Sequence, residues 1–111
     1  MSNQTQTVRF DATADESTAF TLPQGYAVTA MRFTGSYEEC NISFLVSFDG
    51  GTSWQAIQDV DGDYVISIEN TFNKVVANIP RNITLGMPRI KLFASVAQTS
   101  DVEVILVLTR G

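Results

Sequence analysis

The side chains that most often carry protein chemistry are scarce in this chain, beginning with histidine, which is absent from all 111 residues. That removes the commonest general base, the commonest zinc ligand and every Ser-His or Cys-His nucleophile arrangement. Cys40 is the single cysteine, so no internal disulfide can form. The neighbouring Glu38 and Glu39 would raise the pKa of its thiol, not activate it, and Cys40 reads as a small, half-buried hydrophobe. Paired carboxylates can serve as acid and base in glycoside hydrolysis, but the acids here cluster in turns with no apolar stretch to lift one pKa above the other. The expectation is a protein with no catalytic residues and no cofactor.

Two acidic clusters still deserve a chemical reading. Asp59, Asp61 and Asp63 alternate around Gly62, and hard cations want several oxygen ligands close together. An EF-hand loop starting at Asp59 needs glycine at its sixth position and glutamate at its twelfth, where Tyr64 and Asn70 stand. The cluster therefore predicts a hairpin turn and no metal site. Ser47, Asp49, Gly51, Ser53 and Trp54 spell S-x-D-x-G-x-S-W, which resembles the Asp-box of sialidase-type propellers and other β proteins. The resemblance implies a turn whose carboxylate satisfies backbone N–H groups, whose glycine supplies an unusual dihedral, and whose indole packs over the hairpin. Trp54 can pack or can stack on a sugar ring; one copy of the motif does not make a propeller. Asn-x-Ser/Thr sequons at Asn3, Asn41 and Asn82 read as chance in a chain rich in those residue types.

The elements that must position these residues are strands. No window of a dozen residues keeps a helical apolar period, whereas short runs of Val, Ile, Thr and aromatics recur between turn residues. Residues 1–21 are expected to be a polar N-terminal arm with a short strand at 7–11 and a loop or mobile stretch at 12–18. Residues 22–111 then form the core of one domain. A strand over 26–34, ended by Gly35, places Met31 and Phe33 on one face and Val28 and Ala30 on the other. Ile42, Phe44, Val46 and Phe48 make the inward row of the next strand, and residues 54–57 return from the turn at 49–51 as its hairpin partner. Tyr64, Ile66 and Ile68 form another inward row, and residues 70–82 hold a strand flanked by loops. A strand over 89–95 follows Pro88 with Ile90, Leu92 and Ala94 inward. The last strand, 102–109, is apolar on both faces and so is expected at the centre of a sheet. About eight strands in this pattern predict an all-β fold: an antiparallel β-sandwich of the jelly-roll kind.

Composition limits the partners. The 44% hydrophobic and 17% charged content is globular, and 111 residues suffice for one core without a staple. Residues 1–7 are polar and uncharged, unlike a signal peptide, and no apolar run approaches the length of a membrane span. A net charge of −5 disfavours nucleic acid phosphates, and Arg81, Arg89 and Lys91 read as a solvated face rather than a basic patch.

Taken together, L-P-Q-G-Y-A-V-T-A-M-R-F (22–33), I-S-F-L-V-S-F-D-G-G-T-S-W (42–54), V-D-G-D-Y-V (60–65) and R-I-K-L-F-A-S (89–95) resemble small structural proteins of tailed bacteriophages. Length and segment order fit the capsid decoration, staple or cement proteins of epsilon-fifteen-like short-tailed Salmonella phages. The resemblance implies a jelly-roll-like module made in the bacterial host cytoplasm and placed on the outer surface of the virion. There it would self-associate, as a homodimer, and bridge neighbouring subunits of the major capsid protein, contacting neither nucleic acid nor membrane. Val8, Phe10 and Phe20 are candidate partner contacts if exposed and ordinary core residues if not. A carbohydrate-binding or host-attachment sandwich is the alternative, and a tail or head-completion protein another. A sugar site would call for an exposed aromatic row; Trp54, Tyr26, Tyr37 and Tyr64 offer no regular spacing.

Overall fold

The computed structural model describes residues 3–34, 37–68 and 75–110. Its strands are β1 (Asn3–Phe10), β2 (Phe20–Thr21), β3 (Tyr26–Thr34), β4 (Cys40–Ser47), β5 (Gln55–Ala56), β6 (Gln58–Asp59), β7 (Gly62–Asp63), β8 (Val65–Ile68), β9 (Val75–Val76), β10 (Arg89–Ala94) and β11 (Val102–Arg110); a single helical turn, α1 (Arg81–Thr84), precedes β10. One sheet has the order β1-β11-β3-β9; a second runs β2-β10-β4-β5, with β8 also paired to β4; and β6 and β7 form a separate two-stranded ribbon. Every strand pair is antiparallel. Setting aside β5, β6 and β7, which belong to the excursion between β4 and β8, the remaining strands counted along the chain lie in the order 1-8-3-6 and 2-7-4-5. That is the strand order of a jelly roll.

The inward rows of both sheets meet in one core, where Phe33, Met31 and Leu106 from the first sheet and Phe44, Ile90 and Leu92 from the second are almost wholly buried. As expected, Ile90, Leu92 and Ala94 point inward on β10, and β11 is paired on both sides. In β3, Val107 faces Ala30 but Leu108 faces Val28, so Thr29 is an extra, bulged residue. The bulge moves Val28 onto the same buried row as Met31 and Phe33, correcting the expectation that it shares a face with Ala30. The carbonyl of Thr29 accepts the N–H of Ile79 (3.0 Å).

Other expectations need correction. The N-terminal segment is no arm: β1 pairs with β11 over all its residues and puts Val8 and Phe10 into the core, so a boundary at 21/22 divides nothing. The loop after it is pinned, crossing from the first sheet to the second. Thr13 N donates to Gln98 O (2.7 Å), Ser17 N to Leu92 O (2.9 Å) and Ala94 N to Asp15 O (2.7 Å). Phe48 leaves the inward row because β4 ends at Ser47, and it is 68% exposed. The predicted strand within 70–82 is β9, followed by the unexpected α1; Gly35 and residues 70–74 of those expectations lie outside the described residues. Helix α1 is held by Thr84, which is fully buried and whose Oγ1 accepts the N–H of Val28 (2.8 Å). Arg81 donates to the carbonyl (2.8 Å) and hydroxyl (3.0 Å) of Thr109.

Candidate functional site

The Asp-box segment forms a hairpin turn between β4 and β5. Gly50 and Gly51 both have positive φ, 75° and 101°, a region that side-chain-bearing residues avoid. Ser47, 1% exposed, donates from Oγ to Asp49 Oδ1 (2.7 Å) and accepts the N–H of Gly51 (2.8 Å). Asp49 also accepts the N–H (2.9 Å) and hydroxyl (2.6 Å) of Ser53. Donation from the Ser53 side chain and then its backbone, followed by Ser47, lowers the Asp49 carboxyl from 3.8 to about 2. Oδ1 thus accepts two hydrogen bonds and Oδ2 one, all from within the turn.

Trp54 closes the turn by donating its indole N–H to Gly51 O (3.1 Å). The ring is half-buried, and Lys91 Nζ lies 4.4 Å from its centroid, a cation–π contact. Lys91 reaches there from β10, where it faces Leu45 of β4, and also pairs with Glu16. Two residues earlier on the same strand, Arg89 faces Ser47 and donates to Thr21 Oγ1 (3.2 Å). Its Nε is buried without a hydrogen-bond partner. Hairpin, β10 and the 15–21 segment are thereby locked together on the outer side of the second sheet.

The remaining predicted residues scatter. Val8, Phe10 and Phe20 are 1%, 1% and 5% exposed; they are core residues and offer no contact surface, because the inward register of β1 and β2 buries them. At the Asp59 turn, Asp61 N donates to Asp59 Oδ1 (2.8 Å) and Gln58 Nε2 to Asp63 Oδ1 (2.8 Å), tying the carboxylates into the β6–β7 ribbon. Among the described residues no group of three or more acidic, Cys or His side chains is placed to hold a metal ion. Burial raises the Cys40 thiol, with a smaller lowering from the Gln98 side chain. Tyr26 and Tyr37 are buried. Tyr64 stacks on Phe44 with centroids 6.2 Å apart, and burial, then the charge of Asp59, raises its phenol. These aromatics and Trp54 make no exposed row. Arg81, Arg89 and Lys91 each engage a partner within the chain rather than one another.

Two residues that bind the structure together were not singled out from sequence. Thr84 anchors α1, as described. Gln98, 3% exposed, accepts the N–H of Glu38 (2.9 Å) and donates to Val96 O (3.2 Å), while its backbone receives Thr13 and reaches Ala14. A polar residue in a run of turn formers carries no sequence signal of that role.

Comparison with family models and with characterised proteins finds no match. Among solved structures, the chain is similar to the crystal structure of the SPBc2 prophage-derived protein YomS: TM-score 0.52 at 16% identity, covering 97% of this chain and 95% of that one. The likeness extends through both sheets and is one of fold.

Proposed function

We propose that this protein is a structural component of a tailed-phage particle that docks on the outside of the assembled capsid and bridges neighbouring major capsid subunits. The observation that carries the reading is a fold likeness over nearly the full length of a prophage-derived protein, which agrees with the resemblance of residues 22–95 to phage capsid staple proteins. Fold alone does not assign function, since jelly rolls serve lectins as well as viral shells. The site chemistry supports docking over sugar binding: Tyr26 and Tyr37 lie in the core and Lys91 covers Trp54, where a sugar platform wants an open ring. A staple that binds only the assembled lattice adds its binding free energy to lattice stability, as any ligand stabilises the state it prefers, and attachment at more than one subunit multiplies the effect. The test is co-sedimentation of the purified protein with assembled mature shells and with free capsid subunits. Saturable binding to shells and none to free subunits is expected; equal binding to both overturns the bridging role.

A further inference from the structure

Strand β1 is the outer strand of the first sheet, and at eight residues it is the longest edge strand among those described; β2, β5 and β9 have two residues each and β8 has four. The direction of its free hydrogen-bonding groups follows from Arg9. Its N–H donates to Thr18 Oγ1 (3.0 Å) and its carbonyl accepts the N–H of Thr18 (2.9 Å), both away from β11. The β1–β11 register is unbroken, so by the alternation of an antiparallel ladder Thr7, Thr5 and Asn3 also aim their N–H and C=O groups outward. Thr18 occupies only the Arg9 end; nearer the middle, the Gln6 side chain donates from Nε2 to Thr7 O (3.3 Å), a long contact that a pairing strand would displace. All three remaining residues are exposed.

Natural edges are commonly blunted by charge, proline or a bulge. Residues 3–8, N-Q-T-Q-T-V, contain none of these, in a molecule whose net charge is −5. We propose that this edge pairs with a second copy of the same chain, antiparallel across a two-fold axis at Thr5, so that the first sheets of two molecules become one continuous sheet. In that register Thr5 faces Thr5 and Asn3 faces Thr7. Each facing pair exchanges two backbone hydrogen bonds, and the threonines contribute favourable cross-strand contacts. A second copy is the occupant that fits: the segment is uncharged and self-complementary about Thr5, so a strongly acidic molecule meets itself there without like charges in the ladder. Thr18 ends the ladder at Thr7, which fixes the register. The pairing stands independently of capsid binding, although it would supply the two-fold partner that bridging calls for.

The experiment uses purified protein alone, without shells, by sedimentation velocity and native mass spectrometry. The wild type is expected to be a dimer in reversible equilibrium with monomer. Thr5→Lys and Thr5→Glu each place like charges opposite one another at the axis and should be monomeric at concentrations where the wild type dimerises, with melting temperatures within a few degrees of it. An equimolar mixture of the two should dimerise again, as the Lys/Glu heterodimer; misfolding would not be repaired by mixing. A monomeric wild type, a dimer that persists in either variant alone, or a mixture that stays monomeric overturns the proposal.

Discussion

Asp49 accepts hydrogen bonds from Ser47 and Ser53, and these hold its carboxyl at about 2 against an ordinary 3.8. A value lowered by folding contributes stability that is present above the unfolded pKa and is lost as pH falls towards the folded one. The melting temperature of the wild type should therefore fall more steeply than that of Asp49→Asn as pH drops from about 4 to about 2. Parallel curves would show that the carboxylate's bonds do not matter to stability. Trp54 is half-buried against the turn and Lys91, unlike a fully enclosed aromatic, whose truncation costs about 3–5 kcal/mol. Trp54→Ala is expected to cost about 1–3 kcal/mol, read as a shift in urea midpoint. The hairpin was legible because the Asp-box spacing places each donor and acceptor in sequence. The partners brought by β10, Lys91 and Arg89, were not, because only strand pairing places them beside the motif.

Among the elements, β1 is the one whose role differs most from its sequence. Residues 3–6 are polar and show no alternation of burial, since at that end backbone pairing to β11, rather than a buried face, makes the strand. Val8 and Phe10 then anchor it. Phe10→Ala is expected to cost about 3–5 kcal/mol in chemical unfolding, whereas truncating a residue on a free arm would leave the midpoint unchanged. Strand β10 was readable because Ile90, Leu92 and Ala94 alternate behind Pro88, and β11 because it is apolar on both faces after the 98–101 turn. Strand β3 was readable in extent but not in facing, because a bulge at Thr29 leaves no mark in residue type. Helix α1 escaped because a single turn has no period to detect. It depends on a side chain, not on propensity: Thr84→Val removes the acceptor for the buried Val28 N–H and should cost about 1–3 kcal/mol.

At the scale of the whole molecule, two antiparallel sheets in jelly-roll order enclose one core, and the carboxylates of Asp49, Asp59 and Asp63 accept hydrogen bonds within their own turns. Millimolar calcium or a chelator should accordingly leave the melting temperature unchanged, and a rise of several degrees with calcium would place a cation at the Asp59 turn after all. A staple must engage at least two capsid subunits at once, because a binder touching one cannot resist their separation. The most direct test is to purify particles lacking the protein, restore it, and measure occupancy together with the temperature at which DNA is released. Release is expected to move to higher temperature in proportion to occupancy and to return to the undecorated value when the protein is stripped. Full occupancy with an unchanged release temperature would contradict the bridging role.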